Sequence, residues 1–315
     1  MKKATQSRSV RPLEIKRAFF IKLGSKGKWE ADSIQKGVMR FGWGGIPLAD
    51  ILANNWEKIR KDLARETSHA PTLSNDFNRL RDICFSDAAD IWITFHQSKL
   101  YWCQLSDSTI EQDQTSKFRR TLSGWQSTDI KGLPLISSQI PGIISKVQGY
   151  RGTVCSVEQP GVLERLLNGE PSPDSIALKG ARDRLIEAVI PTIRQLHWKD
   201  FETLVDLIFR AAGWKRIRVL GETKKDVDIE LEEPFTRERY QVQIKASASL
   251  GDFKQSAASF SPGSFRHFYF VVHTPSSELR DYKNREPAIK LVFVEQLAEM
   301  TVRAGLTDWL ITKVW

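Results

Sequence analysis

Acidic, amide and basic side chains alternate with apolar residues in two neighbouring segments of the C-terminal half. The first runs from Lys225 to Leu231 (Lys-Asp-Val-Asp-Ile-Glu-Leu), and the second, after a short polar turn, is Tyr240–Lys245 (Tyr-Gln-Val-Gln-Ile-Lys). Alternate side chains of a strand share a face, so Gln243 and Lys245 would lie together beside the acids of the first segment. Those acids are Asp226, Asp228 and Glu230. Carboxylate and main-chain oxygens hold hard divalent cations and a lysine can orient or activate water, so the layout indicates metal-dependent phosphodiester hydrolysis.

The alternative is an ordinary amphipathic hairpin whose charges face solvent, because any half-buried strand alternates polar and apolar residues. Isolated Asp-x-Asp or Gln-x-Lys strings do not distinguish the two interpretations. The order of the surrounding features does favour a nuclease. A helix with a glutamate, Phe201–Phe209, is followed by a glycine stop at Ala211–Trp214, then by the acidic strand and the Gln-x-Lys strand.

Residues from Trp198 to about Val294 resemble the Mrr-type catalytic domain of the restriction-endonuclease-like (PD-(D/E)xK) superfamily. The helix that begins at Phe201 looks like the family's opening "FE-x-LV" helix, and the Gln-x-Lys strand matches the variant in which Gln replaces the usual acid. The resemblance implies an α/β fold with a mixed central sheet flanked by helices. It also implies a metal-dependent endodeoxyribonuclease that uses Mg²⁺ or Mn²⁺.

The same resemblance assigns roles to individual residues. Asp228 would be the metal-binding aspartate, Gln243 would occupy the position of the usual acid and contribute to the metal site, and Lys245 would be the catalytic lysine. Glu202 would be an auxiliary acid on the first helix. The family's glycine-rich approach to the aspartate is replaced here by Gly221–Lys225, so Asp226 remains an alternative or second metal ligand.

Composition points to a phosphate-rich partner. The 315 residues carry a formal net charge of +9 with a sequence pI near 9.4, which favours nucleic acid. The three cysteines, Cys84, Cys103 and Cys155, lack the spacing of a zinc site or disulfide framework. The basic start is followed by no apolar segment of signal or membrane-span length, so we expect no membrane association and a cytoplasmic location. The resemblance of the C-terminal half to the Mrr type implies a prokaryotic host.

Shifts in composition divide the chain. We expect a flexible tail over 1–10, a recognition domain over 11–160, a linker and connecting helix over 161–195, and the nuclease-like domain over 196–315. The segment Asn168–Ser175 is rich in breakers and cap formers. Apolar runs and a hairpin at 90–105 make the first domain strand-rich.

Six of the ten tryptophans lie in the first 125 residues. Aromatic cages hold a flipped base by its face, and the segment from Ile21 to Trp43 loosely resembles PUA-superfamily modules of the EVE and YTH kind. That resemblance implies an α+β small barrel that reads modified bases. Core packing is the alternative for any single tryptophan. The candidates for base recognition are Trp29, Trp43, Trp92, Trp102 and Trp125.

Basic residues interleave with these aromatics and would follow a DNA backbone in a salt-dependent manner. They are Lys22, Lys26, Lys28, Arg40, Lys117, Arg119 and Arg120. Together these features predict a modification-dependent, type IV-like restriction endonuclease of anti-phage defence, acting on modified DNA as a homodimer. The alternatives are a defence nuclease activated by a small nucleotide signal or by RNA, and an inactive DNA-binding protein of the same fold.

Overall fold

The computed structural model describes residues 11–66, 69–217 and 229–314. The chain forms two units, Met1–Ser172 and Pro173–Trp315. The division falls inside the segment Asn168–Ser175 that the sequence marks as a linker. No helix of the described ranges has the length and apolar character that crossing a membrane requires.

The N-terminal unit combines seven short strands with six α-helices in the part of the chain that the structure describes. In chain order these are β1 (Arg17–Ile21), α1 (Glu30–Lys36), β2 (Val38–Phe41), α2 (Leu48–Leu52), α3 (Trp56–Glu66), α4 (Ala70–Cys84), β3 (Asp90–His96), β4 (Lys99–Cys103), β5 (Glu111–Gln112), β6 (Lys117–Arg120), α5 (Gly142–Ser145), β7 (Val154–Ser156) and α6 (Pro160–Leu167). The predicted hairpin is β3–β4, joined at Gln97 and Ser98, which both have positive φ.

The small closed barrel expected for this unit does not appear among the described residues. The strands form two open sheets, with orders β4-β3-β1-β7 and β2-β6-β5. Single residue pairs such as Leu105↔Thr121 link extended segments beside them. Closure of a barrel needs continuous ladders between all neighbouring strands, and strands as short as β5 and β7 do not supply them.

Apolar side chains from both sides of β1 build two cores in this unit. Phe19 and Ile21 pack with α3 and α4, and Phe20 packs with Leu163 and Leu167 of α6. Helix α6 therefore belongs to the N-terminal unit.

The C-terminal unit is an α/β layered fold, as the sequence predicts. Its elements are α7 (Pro173–Arg194), α8 (Trp198–Ala211), β8 (Lys215–Arg216), β9 (Ile229–Glu232), β10 (Arg239–Ala248), α9 (Leu250–Ala258), β11 (His267–Pro275), α10 (Ser277–Asp281), β12 (Ile289–Phe293), α11 (Val294–Arg303) and α12 (Thr307–Ile311). The sheet has the order β12-β11-β10-β9-β8, with β10, β11 and β12 parallel and β8 and β9 antiparallel.

Each face of this sheet has its own apolar layer. Val242 and Ile244 of β10 face α7, α8 and α11, in the core that includes Phe201. Phe268 and Phe270 of β11 face the opposite side, where α9 contributes Phe253. Because both faces are covered, the central strands β10 and β11 are rich in buried apolar residues. The polar positions of β10 therefore stand out against an apolar background.

Candidate active site in the C-terminal unit

Strand β10 brings Gln243 and Lys245 onto one face of the sheet. In the parallel ladder with β11, Gln243 is the partner of Phe270 and Lys245 is the partner of Val272. Partners in a ladder point to the same side, so both polar side chains lie on the face that carries α9. Gln243 is only 1% exposed, whereas Lys245 is half-buried towards the carboxyl end of the strand. The predicted sharing of a face is therefore what the structure has.

The neighbouring strand β9 presents an acid to β10. In the antiparallel ladder Glu230 is the partner of Gln241, and Ile229 is the partner of Val242. The structure thus pairs Glu230 with Gln241 on the face that carries Gln243. Asp226 and Asp228 lie outside the described residues, so their meeting with Gln243 and Lys245 stays a prediction.

Sequence reasoning missed the amide of Gln241. The side chain is 2% exposed, and its Oε1 has no hydrogen-bond partner within the described ranges. A buried amide oxygen without a partner costs free energy comparable to a lost hydrogen bond. The sequence could have identified this residue, because the alternation Gln-x-Gln-x-Lys places Gln241 on the same face as Gln243 and Lys245.

A helix cap adds an acid near the lysine. Ser249 and Asp252 form a capping box at the start of α9, in which Asp252 Oδ2 accepts hydrogen bonds from the Ser249 amide at 2.8 Å and hydroxyl at 2.7 Å. These bonds, together with the charge of Lys245, hold the pKa of Asp252 below its usual value. The Ser-x-x-Asp spacing could have revealed this cap from the sequence.

Glu202 occupies a different layer of the unit. It is half-buried in the first turns of α8, which packs on the face opposite to Lys245. Its neighbour Phe201 makes an edge-on contact with His273, with ring centroids 4.6 Å apart. His273 follows Val272, the ladder partner of Lys245, so Glu202 lies towards the same end of the strands as the lysine, on the other side of the sheet.

His273 is buried at this end of the sheet. Its Nδ1 lies 2.8 Å from the hydroxyl of Thr274, and its Nε2 has no hydrogen-bond partner in the described part of the chain. Burial, with a contribution from the positive charge of Arg194, lowers the pKa of His273. The imidazole is therefore neutral near pH 7 and makes a structural contact with Phe201.

The described residues supply oxygen ligands of the kind that bind metal ions, but too few of them to form a complete site. Amide and carboxylate oxygens such as those of Gln243 and Glu230 are ligands that hard cations accept. Residues 11–66, 69–217 and 229–314 contain no group of three His, Cys, Asp or Glu side chains placed to hold a metal ion. A complete site would need a further carboxylate, and the two predicted ones lie outside those ranges.

Three of the five candidate tryptophans of the N-terminal unit are core residues. Trp92 is 0% exposed, stacks on Phe19 with centroids 4.8 Å apart, and donates its indole N–H to Ser86. Trp102 and Trp125 are 8% and 7% exposed and donate to main-chain carbonyls. A buried ring with a satisfied N–H has no face to offer a base, so packing is the interpretation that fits these three. Trp29 and Trp43 are half-buried.

Four of the seven predicted backbone-binding residues are buried or bound to an acid. Arg40 is 1% exposed and binds Asp32 and Asp113, while Lys117, 3% exposed, donates to the carbonyl of Trp43. Arg119 is 4% exposed and donates to three main-chain carbonyls. Arg120 is exposed but binds both oxygens of Glu111. The other three are Lys22, Lys26 and Lys28, which line a cavity beside Trp29.

Comparison with known families places the C-terminal unit. Residues 193–274 match the Mrr_cat family model, described as "Restriction endonuclease". The matched segment includes Glu202, Glu230 and strand β10 with Gln241, Gln243 and Lys245. This match supports a nuclease and the resemblance drawn from the Gln-x-Lys strand.

Among curated proteins no sequence matches this chain. Solved structures with some similarity include the DNA modification-dependent restriction endonuclease AspBHI, at 9% identity and a TM-score of 0.32, covering 71% of this chain and 68% of that one. Another is the MspJI restriction endonuclease in complex with a 27-mer oligonucleotide, at 12% identity and a TM-score of 0.30, covering 89% and 74%. Scores of this size establish neither a shared fold nor a shared substrate.

Proposed function

We propose that this protein is a metal-dependent endodeoxyribonuclease that cuts DNA carrying a modified base, as a type IV-like restriction enzyme in anti-phage defence. One observation carries the catalytic part of the proposal. Gln243 and Lys245 share a face of β10, within the segment that matches the restriction endonuclease family. The buried amide oxygen can bind a metal ion, and the half-buried ammonium group can orient a water molecule. Metal-dependent phosphodiester hydrolysis uses both kinds of group.

Each residue of the site has a task in this reaction. Gln243, Asp228 and a main-chain carbonyl would hold Mg²⁺ or Mn²⁺, with Asp226 as a second carboxylate. The ion would supply charge neutralisation on the scissile phosphate and a more acidic water. The Lys245 ammonium group would orient the attacking water or take part in its deprotonation. Glu202 would act as an auxiliary acid from α8.

The covalent connection of Asp228 to Ile229 supports its assignment to this site. Ile229, the next residue, pairs with Val242, and Val242 directly precedes Gln243. Consecutive Cα atoms are about 3.8 Å apart, so the covalent chain restricts how far the aspartate can lie from this ladder. The choice between Asp226 and Asp228 remains part of the proposal.

The N-terminal unit would recognise the modified base. Trp29 and Trp43 are the candidate stacking residues, because their rings are not fully enclosed by the core. Cutting both strands of DNA requires two active sites, so the protein would act as a homodimer with two-fold symmetry.

A cleavage assay tests the proposal. Purified protein is incubated with Mg²⁺ and either phage DNA that carries modified bases or the same sequence made by amplification without modification. We expect cleavage of the modified DNA only, and none with EDTA. Equal cleavage of both DNAs would remove the modification requirement, and binding without cleavage at any Mg²⁺ or Mn²⁺ concentration would contradict the nuclease.

A further inference from the structure

A cavity of about 430 Å³ in the N-terminal unit is lined by cations. It lies between the loop that follows β1 and the segment that precedes β7. Its lining includes Lys22, Lys26, Lys28, Trp29, Arg151 and Thr153, together with glycines, and no acidic residue. The hydrogen bond from the Lys22 amide to the Thr153 carbonyl, 2.8 Å long, ties its two walls together.

The basic residues of this cavity are not paired with acids, unlike half of the other Lys and Arg residues in the described part of the unit. Within 11–66 and 69–172, nine cations form salt bridges with acids, whereas Lys22, Lys26, Lys28 and Arg151 form none. The paired cations are Lys16, Arg17, Lys36, Arg40, Lys58, Arg65, Arg79, Arg120 and Lys146. Four cations around one concave surface, with no acid among its lining residues, generate a positive potential that favours an anionic ligand.

The shape of the cavity depends on close contacts at two glycines. Gly24 has φ +82°, and a Cβ there would lie 2.8 Å from the ring of Trp29. A Cβ on Gly152 would lie 2.6 Å from the ring of Tyr150. The wall at Gly24 requires glycine, because its φ is also left-handed, and this is typical of loops where a backbone approaches a ligand closely.

The indole of Trp29 forms the aromatic wall. The ring is half-buried, and Lys28 Nζ lies over it at 4.8 Å from the centroid. Lys22 Nζ donates to the carbonyl of Tyr150, so its charge is fixed at the rim. Lys26, Lys28 and Arg151 can each turn a charged group towards a ligand in the cavity, because all three line it and none is held by an acid.

We infer that this cavity binds the phosphate of a nucleotide, with Trp29 against the base or sugar. Arginine offers a planar pair of N–H donors to phosphate oxygens, and lysines add point charges around them. A metal ion would be repelled by the four cations, and an apolar ligand would leave them unbalanced. The nucleotide can belong to a nucleic acid strand or be free, and the inference deepens the recognition role proposed for this unit. Arg151 becomes a binding residue that the sequence did not reveal.

Binding measured without metal tests this inference separately from cleavage. Full-length protein in EDTA is titrated against a fluorescent single-stranded 12-mer, the matching duplex, and ATP as a free nucleotide. The test variant is Lys26→Ala/Lys28→Ala/Arg151→Ala. The matched control is Lys36→Ala/Arg65→Ala/Lys146→Ala, which removes the same charge from exposed, ion-paired residues of the same unit. Circular dichroism checks that both variants stay folded.

We expect the test variant to bind at least one probe about tenfold more weakly than the wild type, and the control to bind it like the wild type. For a single strand, loss of three phosphate contacts would also reduce the slope of log K against log salt by about 2. Binding of ATP alone would identify a free nucleotide as the ligand, and binding of oligonucleotide alone would identify a strand.

Equal binding by both variants, or no binding of any probe by the wild type, would overturn the inference. Should the triple variant misfold, the single change Arg151→Glu replaces it, and unchanged affinity in that variant would overturn the inference equally. A wild type that binds in EDTA but never cuts with Mg²⁺ would contradict the nuclease and leave this site standing.

Discussion

Lys245 and Val272 are partners in the parallel ladder of β10 and β11, and this pair puts the lysine on the opposite side of the sheet from α8. Lys245 therefore shares a face with Gln243, whereas Glu202 reaches the same end of the strands from the other layer. The acid of the helix and the lysine of the strand can act on one phosphate only across the carboxyl edge of the sheet. In open α/β sheets that edge is where ligands bind.

Replacement of the lysine should separate catalysis from binding. Lys245→Ala removes the ammonium group that would position or deprotonate water, so we expect the cleavage rate to fall by about 10²- to 10⁴-fold. DNA binding measured in EDTA should stay within about threefold of the wild type, because a single phosphate contact contributes little to total affinity. Plasmid cleavage and fluorescence anisotropy measure the two quantities.

The control for this experiment is Lys290→Ala, which removes an exposed lysine from β12 of the same sheet. Its cleavage rate should match that of the wild type. Full activity of Lys245→Ala would show that the lysine has no role in the reaction.

The amide of Gln243 should govern the metal requirement. Gln243→Leu places an apolar side chain of similar size beside Phe270 and removes the amide oxygen. We therefore expect half-maximal cleavage to need at least about tenfold more Mg²⁺. Gln243→Glu restores an oxygen with a negative charge and should bring the requirement back towards the wild-type value. The measurement is initial rate against Mg²⁺ concentration. An unchanged Mg²⁺ dependence in Gln243→Leu would exclude this amide from the metal site.

The C-terminal fold could be predicted because its information is local. The period of two in Tyr240–Lys245 places Gln243 and Lys245 on one face whatever the partner strands are. The glycine stop after Phe209 and the capping box of Ser249 and Asp252 mark helix ends within a few residues. The sequence does not predict the position of Glu202 relative to Lys245, because that position depends on which face of the sheet α8 covers.

The contacts of the N-terminal unit are hard to predict from the sequence, because its residues interact with partners that lie far away along the chain. All four residues of β2 are buried, so alternation does not show which way Arg40 points. Its partner Asp113 lies 73 residues away, and Arg119 reaches carbonyls 33 and 36 residues away. A basic residue next to tryptophans in the sequence therefore predicted a DNA contact where the structure has an internal ion pair.

Base discrimination should depend on an aromatic ring outside the core. Trp43 is half-buried with φ 57°, and its carbonyl accepts a hydrogen bond from Lys117. Stacking of a base on an aromatic ring contributes about 1–3 kcal/mol, so Trp43→Ala should reduce the preference for modified over plain DNA by about tenfold or more. Trp125→Phe is the control, because Trp125 is a buried residue and its loss should lower stability without changing the preference. A preference unchanged in Trp43→Ala would move base recognition elsewhere in the unit.

The ion pairs of Arg40 should stabilise the N-terminal unit in a pH-dependent way. Arg40 donates to Asp32 at 2.6 Å and to both oxygens of Asp113 at 2.9 and 2.8 Å, and its hydrogen bonds hold the pKa of Asp113 well below the usual range. Arg40→Met should lower the free energy of unfolding at pH 7 by about 2 kcal/mol, or roughly 4–8 °C in melting temperature.

A carboxyl group with a lowered folded pKa stabilises the fold above its unfolded value, near 4, and loses that effect as the pH falls towards the folded value. The difference between wild type and Arg40→Met should therefore be complete at pH 7 and shrink below about pH 4. Thermal unfolding followed by circular dichroism across this range measures it, with Arg65→Met, whose ion pair is exposed, as the control. A difference that stays constant down to pH 2 would mean that Arg40 stabilises the unit through packing on Phe118, and that its charge contributes nothing.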